Sequence, residues 1–176
     1  MSCDCDQQYL GRIGHNIERF EIAQPIIPGA ATFSQDEALH DDSYEVPCAF
    51  FGTGGHSVLE ELRALEIATP AVRGGLRVLV FREQPTSAVK GATYNADTTK
   101  LIGVVLIKDG VATAAAPDQG YRRITAVRSE AYVYPGMHMD AHSNHSSVWL
   151  VVLADTGQTH VVGTNILIRG SIRRHS

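Results

Sequence analysis

The sequence predicts an all-β fold: a β-sandwich or jelly roll of about seven or eight antiparallel strands behind an N-terminal arm. Three observations carry this. The first is composition, since 176 residues include 16 Gly and 7 Pro but only three Lys, a balance of turns and strands rather than of long helices. The second is the rhythm of short apolar runs broken by turn residues. The third is the absence of the alternating strand–helix pattern that builds parallel sheets.

Taken in order, residues 1–31 form the arm and 32–176 the β-domain. Within the arm, Tyr9, Leu10, Ile13, Ile17 and Phe20 have helical spacing, and a short amphipathic helix is expected there, weakened by Gly11 and Gly14. Pro25 and Pro28 then exclude both helix and sheet interior. Such an arm makes no core alone and must pack on its own body or on a neighbour.

The first run of the β-domain is Val46 to Phe51, ending at Gly52-Thr53-Gly54-Gly55. The stretch Ser57 to Ala68 is ambiguous. Val58, Leu59, Leu62 and Leu65 suit a capped helix, whereas Val58, Leu62, Leu65 and Ile67 suit a bulged strand. The strand is preferred, because a turn at Thr69–Gly75 leads straight into Leu76–Phe81, which implies a long hairpin-like pair. Further strands are expected at Leu101–Ile107 before Asp109-Gly110, at Tyr121–Val127, at Ala131–Tyr134, at Val148–Leu153 before Asp155-Thr156-Gly157, and in a last run where His160–Val162 leads into Asn165–Ile172.

Charge and cysteine content narrow the function classes. Hydrophobic residues are 44% and charged residues 19% of the chain, which excludes a disordered protein. The net charge of −4 argues against a generic nucleic-acid binder. It divides into −7 over residues 1–50 and +3 over the remainder, a split that fits either attraction between front and body, within one chain or between copies, or ordinary surface variation. No apolar run has the length of a membrane span, and the acidic start Met1-Ser2-Cys3-Asp4-Cys5-Asp6 is unlike a signal peptide. Cys3 and Cys5 are too close for a relaxed mutual disulfide, and Cys48 reads as a lone, inert buried thiol. Three cysteines make no disulfide framework, which points to a reducing compartment of synthesis.

Candidate chemistry is sparse. His138, Asp140 and His142 would share one face of a strand, as in some β metal sites, and His145 lies close by. The following Ser143-Asn144-His145-Ser146-Ser147 favours a polar loop instead. Gly54-Gly55-His56-Ser57 is not a phosphate loop, and no nucleophile elbow occurs. Adjacent Glu60 and Glu61 should point to opposite faces of a strand. Trp149, mid-strand between apolar neighbours, is expected in the core. No catalytic, cofactor-binding or metal-ligating residue is assigned.

The order of segments resembles that of small virion structural proteins of tailed bacteriophages, the β-sandwich decoration or accessory type. The likeness rests on Phe51-Gly52-Thr53-Gly54-Gly55-His56-Ser57-Val58-Leu59, the strand to Ile67, and Leu76-Arg77-Val78-Leu79-Val80-Phe81-Arg82-Glu83-Gln84-Pro85-Thr86. It continues through Tyr94-Asn95-Ala96-Asp97, Ile102-Gly103-Val104-Val105, a final pair at Trp149-Leu150-Val151-Val152 and Asn165-Ile166-Leu167-Ile168-Arg169-Gly170, and spans residues 32–172. In that group a double glycine is followed by Ser-Gly, where this chain has His56-Ser57. The resemblance implies a non-enzymatic capsid decoration or cement protein in the virion, assembled in the host cytoplasm. Its partners would be the major capsid protein or other virion proteins and further copies of itself, a trimer among them, with no cofactor, no direct nucleic-acid contact and no membrane. The alternatives are a tail, baseplate or receptor-binding module of the same fold, and a cupin-like metal enzyme using His138, Asp140 and His142.

Overall fold

The computed structural model describes residues 17–22, 26–50, 55–67, 74–107, 121–125, 137–140, 146–160, 162–163 and 165–175. These are all-β, with eleven strands and no helix among the described residues. In chain order the strands are β1 (Ile17–Glu21), β2 (Thr32–Phe33), β3 (Tyr44–Val46), β4 (His56–Ile67), β5 (Leu76–Phe81), β6 (Leu101–Ile107), β7 (Tyr121–Thr125), β8 (Met137–Asp140), β9 (Val148–Ala154), β10 (Gln158–Thr159) and β11 (Asn165–His175). Every ladder between them is antiparallel. One sheet runs β1-β11-β4-β7, with β8 beside β7 on the same edge of β4; a second runs β3-β9-β5-β6; β10 and β2 form a two-stranded third.

Side-chain alternation assigns the faces. On β5, Leu76, Val78 and Val80 enter the main core, while Leu79 and Phe81 enter a second cluster on the opposite side. On β9, Val148, Leu150, Val152 and Ala154 point into the main core, and Trp149, Val151 and Leu153 into the second. The main core is shared with the first sheet, through Leu59, Leu62 and Ala64 of β4, Met137 and Met139 of β8, and Ile166, Ile168 and Ile172 of β11. The second cluster is closed by Ala38 and Ala88, with Tyr94 and Ala96 packed against it, so the long connection from β5 to β6 covers the outer face. Burial on both faces explains why β9 is a continuous apolar run rather than an alternating one.

β4 resolves the ambiguous stretch as a strand. Its register on β11 shifts, with Leu59 opposite Ile172 and Glu61 opposite Ser171, so Glu60 is the extra residue of a bulge. Leu59 and Leu62, three apart, both reach the core. A bulge thus converts period two locally into period three, which is the helix-like spacing seen in the sequence. Glu60 and Glu61 consequently do not lie on opposite faces: each pairs with an arginine of the outer face, Arg173 and Arg63 respectively.

Other expectations change too. β4 and β5 are not a hairpin-like pair, since β4 lies between β11 and β7/β8 whereas β5 lies between β9 and β6. The segments around Trp149 and Ile168 are likewise not a pair but belong to different sheets. Ile17 and Phe20 are strand residues rather than helical ones, because β1 runs along β11 from Ile17↔Arg173 to Glu21↔Arg169. After β1, Ile22 and Ile26 are buried and continue bonding to β11, with Ile22 N–H donating to the Ile168 carbonyl at 3.0 Å and Ile26 N–H to that of Ile166 at 2.8 Å. The run expected at 131–134 lies outside the described residues. No helix among the described residues is long and apolar enough to cross a membrane.

Candidate functional site

The histidine-bearing segment after Met137 begins as strand β8, not as loop, because it pairs with the start of β4. Met137 and Met139 are buried and His138 and Asp140 exposed, so the expected sharing of one face by His138 and Asp140 holds. His142 and His145 lie outside the described residues. The ladder brings a different partner to Asp140. His56 stands directly opposite it, and His56 Nδ1 lies 2.6 Å from Asp140 Oδ1. On the other side of β4, His175 stands opposite His56, so His175, His56 and Asp140 form a row across three strands. In the adjoining row Arg173, Val58 and His138 are in register, and Arg173 pairs with Glu60.

This corner of the outer face is open. The His56 and Asp140 side chains retain 72% and 77% of their exposure, so water screens the pair and it contributes about 0–1 kcal/mol. Further along, Glu21 pairs with Arg169 and Glu61 with Arg63. The face is a band of opposite charges rather than a field of one sign. Among the described residues no three His, Cys, Asp or Glu side chains are grouped to hold a metal ion.

A second polar group lies at the end of the other sheet. The Arg77 guanidinium joins Asp36 and Asp155, with Nη2 donating to Asp155 Oδ1 at 2.9 Å. Its side chain is only 26% exposed, so this bridge is better shielded from water than the His56 pair. Nearby, Gln158 and His160 are buried and hydrogen-bonded to each other at 3.1 Å. Asp97, at a turn of the β5–β6 connection, has its carboxyl held below the usual range by the hydroxyl and backbone N–H of Thr99.

Buried His40 was not singled out by the sequence. It is 5% exposed, and its ring lies 4.5 Å from that of Tyr44. Burial pushes its pKa down, against the Asp41 carbonyl and the charges of Asp41 and Asp42. Burial likewise pushes the Tyr44 hydroxyl up, with Asp41 adding to it. The only local signal is the run His40-Asp41-Asp42, which reads equally well as an exposed polar turn.

Cys48 is not the lone thiol expected: it is disulfide-bonded, and the chain's other cysteines, Cys3 and Cys5, lie outside the described residues. The bond also removes cysteine count as an argument for a reducing compartment. Trp149 is buried as expected, in the outer cluster rather than the inner core.

No protein-family model matches the chain, and no curated protein matches it.

Proposed function

We propose that the chain is a non-enzymatic structural protein of a tailed-phage virion, a capsid decoration or cement protein that binds the major capsid lattice and stabilises it as a homo-oligomer. In this reading the two larger sheets are the halves of a β-sandwich. The core they share supports that arrangement, since side chains of both fill one interior.

The observation that carries the functional reading is the outer face of β1, β11 and β4. The last two strands are 11 and 12 residues long and run side by side, and arginines and acids alternate along them in the pairs Glu21–Arg169, Glu61–Arg63 and Glu60–Arg173. A broad sheet with mixed charge suits many weak polar contacts to a repeating partner, which multiply into avidity on a lattice. The segment order likened above to virion proteins supports the same role.

The test is binding to particles. The full chain is mixed with expanded capsids and, separately, with tails, then sedimented, and its own mass in solution is measured. Co-sedimentation with capsids is the expected result. A strictly monomeric chain that stays in the supernatant with both particles removes the proposal, and binding to tails alone replaces the capsid with the tail.

A further inference from the structure

His40 stands where the chain leaves the edge of β9. Beyond β3, residues 36–39 run along that edge: Asp36 N–H donates to the Ala154 carbonyl at 2.9 Å, Ala154 N–H to that of Glu37 at 2.9 Å, and Leu39 N–H to that of Val152 at 3.0 Å. The next donor, Val152 N–H, meets no carbonyl in this pattern and donates instead to His40 Nε2 at 2.9 Å. An accepting Nε2 carries no proton, so the ring proton is on Nδ1, 3.0 Å from the Asp41 carbonyl it donates to. Both ring nitrogens are thereby committed, and the buried ring is neutral in one tautomer.

The same segment holds the cover of the outer cluster. Ala38 bridges both Leu153 of β9 and Lys90 of the β5–β6 connection. Ala38 N–H donates to the Ala92 carbonyl at 3.0 Å, and Gly91 N–H to that of Ala38 at 2.9 Å. Asp41 accepts from Lys90 N–H at 2.8 Å, and Asp42 from the Ser87 hydroxyl at 3.0 Å. Asp36 and Asp42, at either end of the segment, have φ of 67° and 65°, a conformation that costs energy outside glycine and depends on the surrounding bonds.

We propose that His40 is an acid-sensitive latch: neutral, it closes residues 36–42 onto β9 and holds the 87–94 cover over Trp149, and protonated, it releases them. A proton on Nε2 would point at the Val152 N–H, and two donors cannot remain in hydrogen-bond contact. The groups facing the ring are Asp41, Asp42 and Tyr44. The two aspartates are exposed and already bonded to Lys90 and Ser87, so they favour an imidazolium without supplying the acceptor that Val152 loses. Tyr44, whose phenol burial keeps protonated, adds no charge. The inference does not depend on the virion reading.

The test is hydrogen exchange of the full chain at about pH 7.5 and about pH 5, corrected for intrinsic rates, with Trp149 quenching alongside. Amides of 36–42, 88–94 and Val152 should lose about tenfold more protection at the lower pH than those of Val78 and Val80. His40→Gln supplies a carbonyl acceptor that does not titrate and should abolish the difference. Equal protection at both pH values overturns the latch, as does the same pH dependence in the glutamine variant. If that variant does not fold, ring-nitrogen NMR of the wild type decides: a His40 ring that stays neutral at about pH 5 overturns the latch, and one that protonates as the Val152 amide shifts supports it.

Discussion

Phe20 of β1 faces Gly170 of β11 directly across the ladder, and its ring occupies the space that a side chain on Gly170 would need. A Cβ built on Gly170 would stand 2.5 Å from Phe20 Cζ and 2.6 Å from the Glu61 carbonyl oxygen. An aromatic ring laid over a strand glycine protects backbone that the glycine leaves bare. Gly170→Ala should therefore destabilise the chain by about 1–3 kcal/mol in urea unfolding, an overpacking penalty. In a Phe20→Ala background the ring is gone and part of the penalty should vanish, a coupling of roughly 0.5–3 kcal/mol. Equal penalties in both backgrounds would mean that the Glu61 carbonyl alone is the obstacle.

Removing residues 1–30 should reach the core. That deletion takes away β1 together with Ile22 and Ile26, which are 3% and 0% exposed. Losing two buried isoleucines costs about 4 kcal/mol or more, on the scale of large-to-small substitutions. Thermal unfolding followed by near-ultraviolet circular dichroism reads this, and an unchanged midpoint would show that the body stands without them.

Trp149 is the chain's single tryptophan and is 7% exposed beneath the β5–β6 connection. Its emission should be blue-shifted and resistant to iodide. Tyr94 packs edge-on against Phe81 in the same cluster, with centroids 6.4 Å apart. Tyr94→Ala should open the cover, shifting emission to the red and admitting the quencher, at a cost of about 1–3 kcal/mol. Unchanged quenching would place the shield elsewhere.

Two ion-pair groups should respond differently to loss. Arg77→Met strands Asp36 and Asp155 at a partly buried site and should cost about 1–2 kcal/mol. Asp140→Asn breaks a pair that water already screens and should cost less than about 1 kcal/mol. Paired urea titrations at low and high salt measure both, and equal losses would contradict the difference in shielding.

Acid should weaken the fold through His40. Its pKa is lowered from 6.5, chiefly by burial, so the native state disfavours the proton relative to the unfolded chain. The contribution is full above that unfolded value and is lost as pH falls through the lower folded value. Denaturation midpoints should be level above about pH 6.5 and decline below it, and less steeply in His40→Gln. An identical decline in both proteins would assign the effect to other groups.

Much of the strand content was legible because uninterrupted apolar runs between turn residues have few alternatives. Leu76–Phe81, Leu101–Ile107 and the segments around Trp149 and Ile168 appear as β5, β6, β9 and β11. The difficult stretch before them was legible only in part, since the bulge at Glu60 imitates helical spacing and the partner that accommodates it, Ile172, is over a hundred residues away. Met137–Asp140 is absent from the expected strands, because its pairing with His56–Leu59 leaves no mark in its own four residues. The His56–Asp140 pair was illegible for the same reason: its members are 84 residues apart and meet only in register.

The amino-acid order determined the class of the chain and the positions of its strongest strands, since side-chain alternation and turn chemistry are local properties. Only the tertiary structure decided which strands are neighbours. It separated β4 from β5, laid β1 along β11, joined Cys48 in a disulfide and placed His40 at the edge of β9. Each of these is a contact between distant parts of the chain, chosen by the closing of a shared core and the satisfaction of buried donors, and no local pattern encodes such a choice.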